Sequence, residues 1–122
     1  MSQSVLAVDD SKTMRDMLSF TLTQAGYKVT EATDGNDALK KARGATFDLV
    51  ITDVNMPGMD GITLVRELRK TGNHRTTPIL VLTTEADREK KDEGRAAGAT
   101  GWIVKPFNPE KLLQTVKKVC PA

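Results

Sequence analysis

Apolar positions along this chain follow two periods in turn. Val5 to Val8 form a short, unbroken apolar run, as expected of a strand buried on both faces. Met14, Met17, Leu18, Thr21, Leu22 and Ala25 then recur at helical spacing, with Ser11 placed to cap the start and Gly26 to stop the end. The more polar stretch Lys28 to Ala32, with Val29 and Ala32 as its apolar members, reads as an edge strand. Ala38, Leu39 and Ala42 predict a second helix ending before Gly44, and Leu49 to Ile51 a third strand. Ile62, Leu64, Val65 and Leu68 predict a helix begun after Asp60-Gly61, and Ile79 to Leu82 a strand entered through Pro78. Glu85 to Ala97 carries the weakest helical pattern, because it is highly charged and contains Gly94, which costs a helix interior about 1 kcal/mol relative to alanine. Gly101 to Val104 predict a fifth strand. A last helix opens with Asn108 as cap and Pro109 at its first position, and buries Leu112, Leu113, Val116 and Val119.

Five β-α units in strict alternation predict an α/β fold, a parallel sheet with helices on both faces. Right-handed crossovers then restrict the topology. No linker, repeat or low-complexity segment interrupts the pattern, so residues 1–122 read as one domain with no output domain. A chain of 122 residues can bury a single core without disulfides or metals to staple it.

Composition narrows the function classes. The lone cysteine, Cys120, has no partner for an internal disulfide, and the N-terminus passes almost directly into a strand without a signal peptide. Both features favour a cytoplasmic location. No apolar run is long enough to span a membrane. The net charge of +2 is small, and the basic residues are dispersed, with Arg66, Arg69, Lys70 and Arg75 in one stretch and Lys111, Lys117 and Lys118 in another. Solvated helix faces account for them better than a nucleic-acid interface. His74 is the only histidine and lies in a polar stretch, and no GxSxG elbow accompanies it.

Ligands of open α/β sheets bind outside the carboxyl ends of the strands. Asp9 and Asp10 end the first predicted strand, Asp53 the third, Thr83 the fourth and Lys105 the fifth. Taken singly, each has a plainer reading: a loop or cap for the acidic pair, a turn for Asp53, a helix cap for Thr83 or Thr84, a surface lysine for Lys105. Jointly, they bring five polar side chains from four segments to one edge. Three adjacent carboxylates repel and call for a cation. Oxygen donors of this kind suit Mg²⁺, which is held by few protein ligands and keeps several waters. A metal, a lysine and a hydroxyl around one carboxylate suit in-line phosphoryl transfer, which depends on positioning and charge neutralisation. Asp53 is the candidate nucleophile.

The segments Val8-Asp9-Asp10-Ser11, Asp53 to Gly61, Thr83-Thr84-Glu85-Ala86 and Lys105-Pro106-Phe107 resemble, in order and spacing, the signatures of response-regulator receiver domains. The likeness covers essentially the whole chain and is to single-domain chemotaxis regulators of the CheY type. It implies a doubly wound (βα)5 three-layer sandwich, flavodoxin-like, with strand order 2-1-3-4-5, an order that the periodicities alone do not supply. It also implies that Asp53 accepts a phosphoryl group from a phosphohistidine on a sensor kinase. Asp10 would then ligate Mg²⁺ directly, Asp9 through water, and Asn55 through its backbone carbonyl. Lys105 would pair with the phosphoryl oxygens, its peptide bond to Pro106 being cis. Thr83 would move toward the phosphoryl group, and the aromatic residue of the fifth strand would swing inward.

That aromatic position holds Trp102, where the family more commonly has tyrosine or phenylalanine, and the bulk of the indole bears on how far it swings. Asn55 and Glu85 fall at positions that tune hydrolysis of the acyl phosphate. Glu85, Ala86, Trp102, Val104 and Lys111 fall on or near an output face formed by the fourth helix, fifth strand and fifth helix. The implied partners are a CheA-like sensor histidine kinase, the flagellar motor switch and a phosphatase, with the protein a monomer. The implied role is a phosphoacceptor that assists its own phosphorylation and dephosphorylation, not a turnover enzyme.

Other readings predict different residues. A phosphate sink or relay intermediate would share the site and differ only in partners. An aspartate-nucleophile phosphatase of the haloacid dehalogenase kind uses a second aspartate two residues after the nucleophile, where this chain has Asn55. A flavin-binding module would need a hydroxyl-rich phosphate loop after the first strand, where Asp9-Asp10 would repel the phosphate. No GxxxxGK[ST] loop is present for nucleotide hydrolysis.

Overall fold

A computed structural model of the chain describes residues 3–84 and 88–121. Among these residues, the order is β1 (Ser4–Val8), α1 (Lys12–Gln24), β2 (Lys28–Ala32), α2 (Gly35–Gly44), β3 (Leu49–Asp53), α3 (Gly61–Lys70), a 3₁₀ turn (Gly72–His74), β4 (Ile79–Thr83), α4 (Arg88–Ala97), β5 (Gly101–Val104) and α5 (Pro109–Val119). The strands form one parallel sheet in the order β2-β1-β3-β4-β5. The polar strand β2 is at an edge, as its composition predicts, and β1, β3 and β4 lie in the interior.

Alternation along the strands builds two cores. Leu6, Val8, Val50, Ile79 and Val81 face α2, α3 and α4, meeting Ala38, Leu39, Leu64, Val65, Leu68 and Ala97. Val5, Ala7, Leu49, Ile51, Leu80, Leu82 and Ile103 face α1 and α5, meeting Leu18, Leu22, Leu112 and Val116. A period of two in the strands thus feeds both faces of the sheet. This is the three-layer sandwich expected from the alternation.

The helix ends carry the predicted caps. Ser11 Oγ accepts from the Met14 N–H at 3.2 Å and Asn108 Oδ1 from the Lys111 N–H at 2.7 Å. Two boundaries shift by a residue. α2 includes Gly44, and α3 begins at Gly61 itself, with Asp60 as its cap through the Thr63 N–H at 2.7 Å. His74 departs further from its polar surroundings, for it is completely buried. Its Nε2 lies 3.2 and 3.1 Å from the carbonyl oxygens of Ala42 and Ala45, its Nδ1 lies 3.1 Å from Thr77 Oγ1, and its ring stacks on Phe47. The imidazole therefore joins the end of α2 to the loop before β4, on the side of the sheet that also receives α3. At the other end of the chain, the Tyr27 hydroxyl donates to the Cys120 carbonyl at 2.7 Å. Burial pushes the Cys120 thiol above its ordinary pKa, which makes it unreactive.

Candidate functional site

The carboxyl ends of four neighbouring strands, with the loops beyond them, form the site. β1 ends at Val8, so Asp9 and Asp10 open the loop that leads into α1. β3 ends on Asp53 and β4 on Thr83, while Lys105 follows β5 directly. The register places Asp53 beside Leu82, and Thr83 beside Val104. The Lys105 N–H donates to the Thr83 carbonyl at 2.7 Å, so the β4–β5 ladder extends to the lysine. The Lys105-Pro106 peptide bond is cis, as the family resemblance implies.

The three predicted carboxylates come together. Asp9, Asp10 and Asp53 each place an oxygen within 4.8 Å of the others. Asp9 and Asp53 are buried and Asp10 is exposed, so the cluster opens to solvent on the Asp10 side. Lys105 reaches into it from β5, its Nζ 3.2 Å from Asp53 Oδ1 and 3.4 Å from Asp9 Oδ2. Burial pushes the Asp9 carboxyl above its ordinary pKa of 3.8, and the neighbouring Asp53 charge adds to the rise. The Ser11 N–H, at 2.9 Å from Oδ1, and Lys105 oppose it. One ammonium against three carboxylates leaves the cluster electron-rich. Hard oxygen donors at this spacing, with one open flank for waters, fit an octahedral divalent cation such as Mg²⁺.

The backbone fixes Asp53 closely. Its Oδ1 accepts from the Val54 N–H at 2.9 Å, and Val54 N–H donates in turn to the Leu82 carbonyl at 3.0 Å. The Gly61 N–H donates to the Val54 carbonyl at 2.9 Å, which draws the start of α3 against the end of β3. A β-carbon at Gly61 would stand 2.9 Å from the Asp53 carbonyl carbon and inside the contact radius of its oxygen. Glycine is therefore required at 61 for a steric reason, not for backbone freedom.

Thr83 is buried beside the cluster, on the same ladder as Lys105. Asn55 is exposed two residues beyond Asp53. Trp102 is half-buried beneath α4 and packs on the apolar cluster of the α2–α3–α4 face. Val104 is 39% exposed and Lys111 is exposed at the start of α5. Glu85 and Ala86, assigned to tuning and output, lie outside the described residues.

Two contributors were not picked out from the sequence. Arg15 on α1 donates from Nη1 to the Asp9 carbonyl at 2.8 Å and reaches Glu31 on β2 at 3.3 Å, holding the acidic loop against the edge of the sheet. Ser11 was legible as a helix cap, yet its N–H also orients Asp9. An aspartate two residues before a serine cap is an Asx-turn pattern, and that signal was there to be read.

Comparison with known proteins places this geometry in a family. Residues 5–117 match the response regulator receiver domain. The chain is 40% identical to the chemotaxis protein CheY of Pseudomonas aeruginosa over 116 residues, covering 94% of each. Among solved structures, CheY4 of Vibrio cholerae superposes with a TM-score of 0.95 at 55% identity, over 98% of this chain and 99% of that one. TrrA of Thermotoga maritima, whose crystal structure is a complex with Mg²⁺ and BeF, has a TM-score of 0.86 at 35% identity, over 96% and 98% of the two chains. A receiver domain from the Pseudomonas aeruginosa sensor kinase PA1611, with Mg²⁺ in its active-site cleft, is also similar, at 28% identity. Fold, strand order and these matches together show that the chain belongs to the response-regulator receiver domains, CheY-like members included, and this membership supports a phosphoacceptor function in two-component signalling.

Proposed function

We propose that this protein is a stand-alone response regulator that takes a phosphoryl group from a sensor-kinase phosphohistidine onto Asp53 and passes the signal to a partner protein. The observation that carries the reading is the meeting of Asp9, Asp10, Asp53 and Lys105 at one sheet edge. Coverage of 94% of the CheY relative supports the stand-alone form. The same likeness supports a CheA-like kinase as donor and a chemotaxis output at the flagellar motor switch, from a cytoplasmic monomer. No helix among the described residues is long and apolar enough to cross a membrane.

The chemistry follows from the side chains. Oδ1 of Asp53 is held by the Val54 N–H and Lys105, so we assign the attack on phosphorus to Oδ2. A P–O bond forms as the P–N bond to histidine breaks, and the imidazole leaves. Lys105 follows the charge onto the phosphoryl oxygens, and the Thr83 hydroxyl supplies a hydrogen bond on the same side. Asp9, Asp10, Asp53 and the Asn55 carbonyl would hold Mg²⁺, which when bound neutralises charge on the transferring group. The new group adds about two negative charges, and the response is a shift of an existing equilibrium in which Thr83 and Trp102 bias the α4–β5–α5 face. The family resemblance assigns Ala86, Trp102, Val104 and Lys111 to that face, and Asn55 with Glu85 to a short-lived acyl phosphate, which a phosphatase partner would shorten further.

Incubation with a small phosphodonor and Mg²⁺ tests the assignment. Wild type takes up acid-stable, hydroxylamine-labile label, and Asp53→Asn takes up none. Equal labelling of the variant would overturn the role of Asp53, and a label that persists for hours would overturn the short lifetime. Capture of a motor-switch protein by the phosphorylated form alone separates the motor reading from a phosphate sink.

A further inference from the structure

Gly94 lies within α4, three residues before its C-terminal end, in a helix already poor in apolar residues. Its place is explained by Trp102. The outer edge of the indole's six-membered ring abuts the glycine. A β-carbon at position 94 would stand 3.1 Å from Cζ3, 3.2 Å from Cζ2 and closer still to Cη2. The absent side chain is thus the space that the six-membered ring occupies.

The backbone on the helix side is poorly placed to yield. The Gly94 carbonyl accepts from the N–H groups of Gly98 and Ala99 at 3.0 and 2.9 Å, closing the end of α4. Arg69 of α3 then clamps that end, donating from Nε and Nη2 to the Gly98 carbonyl at 3.1 and 2.8 Å. Its Nη1 donates to the carbonyls of His74 and Thr77 at 3.0 and 2.7 Å, so the clamp is anchored in the core side of the sheet. A side chain at 94 therefore displaces the indole before it displaces the helix. Trp102 is paired with Val81, and Thr83 lies two residues further along β4, on the same face of the sheet and toward the phosphoacceptor. Thr83 is thus the neighbour that an indole moved toward the site would meet.

We propose that Gly94 is a positioning residue for Trp102, a seat that holds the aromatic in its unphosphorylated orientation, and that any side chain there shifts it toward the orientation selected by phosphorylation. The second half rests on the switch reading of Trp102 given above. Tryptophan fluorescence reads the seat directly, because Trp102 is the only tryptophan. In unphosphorylated Gly94→Ala, emission moves to shorter wavelength and acrylamide quenching falls, and beryllofluoride with Mg²⁺ produces a smaller further change than in wild type. Thermal unfolding supplies the second readout. Alanine at 94 lowers the midpoint beside the tryptophan but raises it in a W102F background, where the shorter side chain lacks the outer ring atoms that meet the β-carbon and helix propensity is what remains.

Additive effects in this cycle, with fluorescence unchanged in Gly94→Ala, overturn the seat. Should Gly94→Ala alone fail to fold, rescue by W102F supports the seat, and failure of the double variant as well overturns it. A displaced indole whose variant nevertheless takes up phosphoryl label and responds to beryllofluoride as wild type does leaves the seat standing and overturns the switch reading on which the bias depends.

Discussion

Asp9 shows how a single residue sets the electrical problem that the site has to solve. It is 1% exposed, and burial with the nearby Asp53 charge raises its pKa above 3.8, so the ionised form is costly in the cation-free protein at neutral pH. The folded state then binds a proton more tightly than the unfolded chain. Its contribution to stability is full below the unfolded value and is lost as pH rises through the folded one. Asp9→Asn keeps an acceptor for the Ser11 N–H and removes the charge. At pH 7 in chelator it is expected to raise the unfolding midpoint by about 2–5 °C. The advantage should shrink as the pH is lowered through the raised value of the folded state, where wild-type Asp9 takes up its proton. Differential scanning calorimetry across that range checks both the sign and the trend.

At the scale of elements, the site depends on how closely β3 and α3 approach. Gly61 lets the first turn of α3 rest on the Asp53 carbonyl, and its N–H holds the Val54 carbonyl at 2.9 Å. Gly61→Ala puts a methyl against backbone that cannot swing aside as a side chain can. The expected cost is about 2–4 kcal/mol, with phosphodonor labelling reduced in the fraction that remains folded. Urea unfolding and a labelling time course measure the two effects separately, and a variant as stable as wild type would contradict the steric account. The caps at Ser11 and Asn108 were legible because capping needs only local spacing. The glycines were not, because what excludes a β-carbon at 61 or 94 comes from a segment elsewhere in the chain.

For the whole molecule, the parallel sheet gathers charge that the separate strands would keep apart. Four side chains, at positions 9, 10, 53 and 105, meet through β1, β3 and β5, and the acidic majority is offset when a divalent cation binds the folded state. Stability should therefore rise with Mg²⁺ by mass action, by about 2.7 kcal/mol at a hundredfold excess over the dissociation constant. Asp53→Asn and Asp10→Asn should blunt the gain, which a magnesium titration of the unfolding midpoint reads. An equal gain in the variants would place the cation elsewhere.

Taken alone, the sequence determined the layers and the candidate chemistry. Short unbroken apolar runs marked out the inner strands and a period near four the helices, and strict alternation demanded a parallel sheet with Asp9, Asp10, Asp53, Thr83 and Lys105 at its carboxyl edge. These follow from local spacing and from the need to bury one apolar face. Tertiary structure decided what depends on approach between distant segments. It set the 3.2 Å separation of Lys105 from Asp53, the raised proton affinity of Asp9 and the burial of His74 in a polar stretch. It also gave Gly94 its purpose. Within α4 that glycine is only a weakness, and packing against Trp102 turns it into the place where the indole fits, because exclusion of a β-carbon is a property of two segments in contact and not of either one alone.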